Sequence, residues 1–325
     1  MPVLVNAMIV LQLGLVFQTL VGAGYQDPST IYLAPGQVVP VLVTGLQTVL
    51  PAAVFAQAVP LPTNLAGISV TLRQTYPAKS WQLPMFAVEQ FNRCTGSSVT
   101  AACLMTAITV QIPFDMANPQ QLLVIPQFTA LTISENGVPS ASFQVQPAFD
   151  RVHILQSCDI GGRTEGAGIC YPLVTHADGS LVLQDIRLNG QPQTHTEAQP
   201  GEELVMYAYG LGPVTPQVQA GTFSPVPAAG ATEPFYLRYD YSPDAPPTLP
   251  LLAGAPAGNQ LPFVGLTPGQ VGLYQINFVV PPPPVGTAAC GVAGAQSNLT
   301  VSILAAGGGS FDGAAICVDP GTAAP

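Results

Sequence analysis

The sequence predicts an all-β chain of two tandem sandwich domains preceded by an apolar N-terminal strand or leader. Three observations carry this. Short runs rich in Val, Ile, Leu, Phe and Tyr alternate with Pro and Gly, of which there are 35 and 32. No segment after residue 24 sustains a 3.6-residue apolar period. Landmarks in the first half of the chain recur in the second. A length of 325 residues allows two cores of ordinary size.

Composition narrows the partners. Charged residues make up 7% of the chain, against about 25% in an average protein, and the formal charge is −10. Lysine occurs once, at Lys79. Nothing here could neutralise a run of phosphates, which excludes a nucleic-acid partner, and anionic membrane surfaces are disfavoured for the same reason. Low charge with 48% hydrophobic residues fits either an uncharged polar surface or apolar surface buried between copies of the chain.

Residues 1–24, MPVLVNAMIVLQLGLVFQTLVGAG, contain no charge. Three readings compete. A signal peptide would be cut at Gly22-Ala23-Gly24, but it lacks the basic residues that normally precede the apolar run. A retained membrane helix is long enough, and membrane attachment is expected only in that case. The third reading is a strand. Asn6, Gln12 and Gln18 all fall at even positions, whereas Val3, Val5, Ala7, Ile9, Leu11, Leu13, Leu15 and Phe17 make the odd face wholly apolar. On a helix, steps of six residues turn about 600°, which scatters the amides. A strand of this kind could add to the sheet edge of a neighbouring copy.

Candidate strands after the leader are Val38–Val43, Ile68–Leu72, Ala107–Ile112, Ala130–Ile133 and Ser142–Val145, then Leu181–Ile186, Leu204–Tyr209, Phe235–Tyr239, Gly272–Val280 and Leu299–Leu304. Domain bounds are placed at 25–156 and 157–325. The repeat is read from Ala34-Pro35-Gly36-Gln37 against Gln199-Pro200-Gly201-Glu202, and from Thr44-Gly45-Leu46 against Tyr209-Gly210-Leu211, both at an offset of 165. Val110-Gln111-Ile112-Pro113-Phe114 is matched to Tyr274-Gln275-Ile276-Asn277-Phe278 at 164, and Ser140 with Phe143-Gln144-Val145 to Ser297 with Thr300-Val301-Ser302. Pro-Gly ahead of a strand makes a tight turn, Pro fixing φ and Gly allowing φ > 0. Pro281–Pro284 cannot continue a ladder and ends the last strand of that set.

These motifs carry a resemblance. His176-Ala177-Asp178-Gly179-Ser180, Tyr209-Gly210-Leu211-Gly212-Pro213-Val214-Thr215-Pro216, Leu266-Thr267-Pro268-Gly269, Gly272-Leu273-Tyr274-Gln275-Ile276-Asn277 and Val280-Pro281 resemble the C-terminal domain of secreted acidobacterial (Solibacter-type) proteins. Leu33-Ala34-Pro35-Gly36, Leu61-Pro62, Gly67-Ile68-Ser69-Val70 and Val110-Gln111-Ile112-Pro113 look like a diverged copy. The resemblance implies immunoglobulin-like or TIG-like extracellular modules, and it brings no catalytic residues. The fold expected is therefore all-β, two tandem immunoglobulin-like β-sandwich domains. The cysteine pairs and the Pro-rich insertion Ser242–Pro262 depart from the pattern.

Chemistry is sparse. The cysteines fall in three local pairs, Cys94/Cys103, Cys158/Cys170 and Cys290/Cys317. Fifteen connectivities exist for six cysteines, and pairing of sequence neighbours is preferred because each pair brackets a Gly-rich or Ser-rich loop. The spacings are too wide for zinc motifs, and three histidines are too few to complete them. Disulfides imply an oxidising compartment, hence an extracellular or cell-surface location. No HExxH, Gly-x-Ser-x-Gly or phosphate-binding loop occurs. No catalytic residue, metal site or cofactor is expected. His176, Asp178 and Ser180 lie in one Asp-Gly turn. Asp159/Glu165 and Asp240/Asp244 are acidic pairs with no sign of a common pocket. Trp81 and Tyr76 are the candidate ligand-binding residues, since exposed aromatics suit a glycan, although aromatics in sandwiches are mostly core.

The sequence therefore favours a non-enzymatic extracellular structural protein that self-associates, as a filament or surface-layer subunit with Val3, Val5, Ile9, Leu11, Leu13, Leu15 and Phe17 on an assembly strand. The alternative is a secreted adhesin or glycan-binding module whose residues 1–24 are removed.

Overall fold

The computed structural model describes residues 18–24, 26, 31–94, 100–101, 103–117, 129–140, 142–160, 170–185, 187–188, 191–192, 196–247, 261–305 and 312–321. The chain is all-β, with several sheets packed as sandwiches around two cores. The first half carries β1 (Thr19–Ala23), β2 (Tyr32–Leu33), β3 (Val38–Thr44), β4 (Val54–Phe55), β5 (Ile68–Thr75), β6 (Ala78–Gln82), β7 (Met85–Asn92), β8 (Leu104–Gln111), β9 (Thr129–Glu135), β10 (Val138–Pro139) and β11 (Phe143–Pro147). They form one sheet in the order β1-β3-β8-β7-β4 and a second in the order β2-β11-β9-β5-β6, with β10 beside β9. Val39, Val41 and Val43 of one sheet and Ile68, Val70 and Leu72 of the other point into a single core. Alternation explains this: on β5 the buried residues fall at every second position.

The second half carries β12 (His153–Ile154), β13 (Val174–Thr175), β14 (Arg187–Leu188), β15 (Gln191–Pro192), β16 (Glu203–Tyr209), β17 (Val214–Thr215), β18 (Gly230–Ala231), β19 (Tyr236–Asp240), β20 (Phe263–Leu266), β21 (Tyr274–Val279), β22 (Leu299–Leu304) and β23 (Gly313–Ile316). The main sheet runs β12-β16-β21-β20-β18-β17, with β13 also on β16, and faces the sheet β19-β22-β23. Leu204, Met206, Ile276 and Phe278 meet Leu237, Val301 and Ile303 in the second core.

Backbone hydrogen bonds repeat between the halves. Gly36 N–H donates to the Ile112 carbonyl at 3.1 Å, and Gly201 N–H to Val280 at 2.8 Å. Ile112 N–H donates to Gln37 O and Val280 N–H to Glu202 O. Gln37 and Glu202 each accept the N–H at the start of their own turn, from Ala34 at 2.9 Å and Gln199 at 2.8 Å. Gly36 (φ 73°) and Gly201 (φ 85°) supply the positive φ that a Pro-Gly turn requires.

These bonds correct two matches. Ile112-Pro113 is equivalent to Val280-Pro281, an offset of 168, so Val110 stands where Phe278 stands and not where Tyr274 does. A slip of four residues preserves strand parity, so both registers bury the same faces. Likewise β11 pairs in parallel with β2, through Pro147 and Leu33, and the corresponding bridge in the second half joins Val318 to Ala198. The counterpart of β11 is therefore β23, and β22 is the counterpart of β9.

Two bounds also move. β12 pairs with β16 and buries Ile154 in the second core, so residues 153–156 sit with the second half and not the first. At the other end, β1 pairs antiparallel with β3 and contributes Leu20 and Ala23 to the first core. The last residues of the segment 1–24 are thus a strand of the chain's own first sheet. The described residues of Leu181–Ile186 form no strand, and Leu181 makes a lone bridge to Thr175.

Candidate functional site

The described residues of the two halves meet in a groove whose walls are fixed by polar contacts. On the hairpin β5–β6, Leu72 pairs with Trp81 and Gln74 with Lys79, which puts all four on the face directed at the opposite sheet. Gln74 is buried and grips the loop after β8 twice. Its Nε2 donates to Ala117 O at 3.1 Å, and Ala117 N–H donates to its Oε1 at 3.0 Å. Lys79 Nζ donates to Asp115 at 2.9 Å and lies 5.8 Å from the centroid of the Trp81 ring. Trp81 itself packs against the first core at the sheet edge. Tyr76, in the turn between β5 and β6, is 52% exposed.

The second half supplies the other wall. Gln111 Oε1 accepts the Gly221 N–H at 2.6 Å, and Leu61 N–H donates to Gly221 O at 2.8 Å. Both partners are buried backbone groups that would otherwise be unpaired. Phe114 crosses the junction and belongs to the second core. A Cβ on Gly36 would fall 2.2 Å from Phe114 and 2.6 Å from the Tyr274 hydroxyl, so only glycine allows this approach. The Tyr274 hydroxyl donates to Gly212 O.

Two clefts result, of about 580 and 530 Å³. Tyr76 and Lys79 line the first, Trp81 and Gln82 the second, and both share Phe114, Asp115 and Gln217. Of the two aromatics that the sequence singles out, Tyr76 lines the first cleft and Trp81 the second. The sequence has no signal for Gln217 or Asp115, which arrive from elsewhere in the chain. Lys79 carries a sequence signal for the site: the sole lysine sits between the two aromatics.

The remaining site residues are distributed as follows. Disulfides join Cys94–Cys103, Cys158–Cys170 and Cys290–Cys317, with Cα separations of 4.9, 5.5 and 5.9 Å. The first closes the β7–β8 hairpin and the third ties Cys290 to the end of β23. Val3, Val5, Ile9, Leu11, Leu13, Leu15 and Phe17 lie outside the described residues, as do His195 and Glu165. Asp178 accepts from Ser180 N–H at 2.9 Å and from its hydroxyl at 2.6 Å, a local turn that lowers the Asp178 pKa. His176 faces away from that serine's hydroxyl, toward Glu202 at 2.6 Å and the Thr196 carbonyl at 3.0 Å. Asp240 and Asp244 serve separate local contacts, the first to Ser242 and the second to the Gln296 and Ser297 amides.

One cluster was not foreseen. His153 on β12 lies between Asp312 (Nδ1 to Oδ2, 2.6 Å) and Asp159 (Nε2 to Oδ2, 3.0 Å). Burial opposes its charge, but hydrogen bonds and charge from both carboxylates outweigh this and push its pKa up to about 9. Among the described residues no group of three or more His, Cys, Asp or Glu is arranged to hold a metal ion, and no helix is long and apolar enough to cross a membrane. No protein-family model and no curated protein matches the chain.

Proposed function

We propose that the chain is a non-enzymatic extracellular structural protein, built of two tandem immunoglobulin-like modules, that associates with further copies of itself through its N-terminal segment. One observation carries this reading. Leu20 and Ala23 are buried in the first core, beside β3. Cleavage at Gly22-Ala23-Gly24 would remove a strand the core depends on, so the segment stays with the folded protein. Residues 1–17 are then an uncharged, largely apolar extension continuous with the outermost described strand of a sheet. Such an extension is stabilised by burial, and its alternation suits addition to a neighbour's sheet. Three disulfides support an oxidising compartment, and the repeated turn and strand pairing support tandem modules.

The test is deletion of residues 3–17, which spares β1. Loss of polymers in electron micrographs and a monomeric mass by light scattering are expected. Polymers unchanged by the deletion, or a secreted product whose intact mass lacks residues 1–24, would overturn the reading.

A further inference from the structure

The geometry points to the junction groove as a binding site for a neutral oligosaccharide. Its two clefts adjoin at three shared lining residues, Phe114, Asp115 and Gln217; Tyr76 lines one cleft and Trp81 the other. Ligand sites concentrate where domains meet, and here both walls are held by buried hydrogen bonds, so little ordering is needed on binding.

The lining selects the ligand class. The charges of Lys79 and Asp115 are spent on each other at 2.9 Å. The other polar side chains are uncharged: the amides of Gln82, Gln217 and Gln219, the Thr63 hydroxyl, and the tips of Tyr76 and Trp81. Each amide both donates and accepts, which matches sugar hydroxyls that do the same. Aromatic rings offer apolar faces to the C–H face of a pyranose, with a polar tip on each of Tyr76 and Trp81. A phosphate or carboxylate would find no unpaired cation among the described lining residues.

Trp81 is the only tryptophan, so tryptophan emission, excited selectively over tyrosine, reads this groove alone. The full chain is titrated with cello-, xylo-, manno- and chito-oligosaccharides, and with a heparin oligosaccharide as the charged control, with calorimetry as an independent readout. At least one neutral ligand is expected to shift the emission saturably. Tyr76→Ala, in an exposed turn, and Gln217→Ala are each expected to weaken binding by about tenfold, with the melting temperature unchanged. The inference is overturned if no neutral oligosaccharide produces a shift or a heat, if Tyr76→Ala binds as tightly as wild type, or if heparin binds equally well. Deletion of residues 3–17 is expected to leave this binding unchanged, which separates the site from self-association.

Discussion

In the first half, the place beside β3 is held by one strand, β1, that bulges between Leu20 and Gly22. In the second half, the same place beside β16 is held by two short strands, β12 and β13, with residues 155–173 between them. The registers coincide at an offset of 165: Thr19 opposite Thr44 becomes His153 opposite Tyr209, Leu20 opposite Val43 becomes Ile154 opposite Ala208, and Ala23 opposite Val41 becomes Val174 opposite Met206. A bulge is already a point where one strand outruns its partner. The second half has widened that point into an excursion and tied it with Cys158–Cys170 and the His153 cluster. The comparison teaches which parts of the edge strand are essential: two buried apolar anchors, with whatever length of chain the local contacts can restrain.

The largest effect expected from this comparison is at those anchors. Leu20→Ala removes a buried side chain from the first core and should cost about 2–4 kcal/mol, read from denaturant midpoints. Ile154→Ala should cost the second half about 2–5 kcal/mol. Removal of residues 1–17 should leave the midpoint in place, whereas removal of residues 1–24 should destabilise the first half more than Leu20→Ala does. A Leu20→Ala change costing no more than about 0.5 kcal/mol would break the equivalence.

The next effect belongs to the second half alone, where His153 stands in the place of Thr19. Its folded pKa, about 9, lies above its unfolded value of about 6.5. The stabilisation is complete below about pH 6.5, declines as pH rises toward 9 and is absent above it, on the order of 3 kcal/mol in total. Urea midpoints from pH 6 to pH 10 should fall for the wild type and flatten for His153→Asn. An unaltered slope in the variant would assign the pH dependence elsewhere.

The smallest effect tests the paired turns. Gln37 caps the first turn with an amide, and Glu202 caps the second with a carboxylate whose other oxygen holds His176 at 2.6 Å. Burial disfavours the charged imidazole, but the Glu202 contact more than offsets this and raises its pKa. That contribution is present at low pH and lost as pH rises past the ordinary histidine range. Glu202→Gln makes the second turn chemically like the first. It should cost no more than about 1 kcal/mol, as expected of a partly exposed pair, and return the His176 titration, followed by NMR, toward its usual value.

Much of the frame was legible in the sequence because its signals are local. Val38–Thr44 is an apolar run directly after a Pro-Gly turn, and each disulfide joins neighbours in sequence. Register was harder. Val110 and Tyr274 share a face with their true counterparts, so the apolar pattern could not expose a slip of four. Strand β7 follows Pro84, but it mixes Glu89 and Gln90 into its run, which blurs the apolar alternation. The groove was half legible: Tyr76, Lys79 and Trp81 lie within six positions, but Gln217 reaches them only through the packing of the halves. The His153 cluster depends on Asp312, distant in sequence, and no spacing rule anticipates such a pair.

Phe114 is carried by the chain of the first half and seated in the core of the second. The second core is therefore completed by a side chain that the first half supplies. The Gln111–Gly221 contact at the same junction adds to the coupling. The two halves are therefore not beads on a string. Truncation of Phe114 would open a cavity in the second core from a position in the first half, so the folding of the second half draws on sequence outside it.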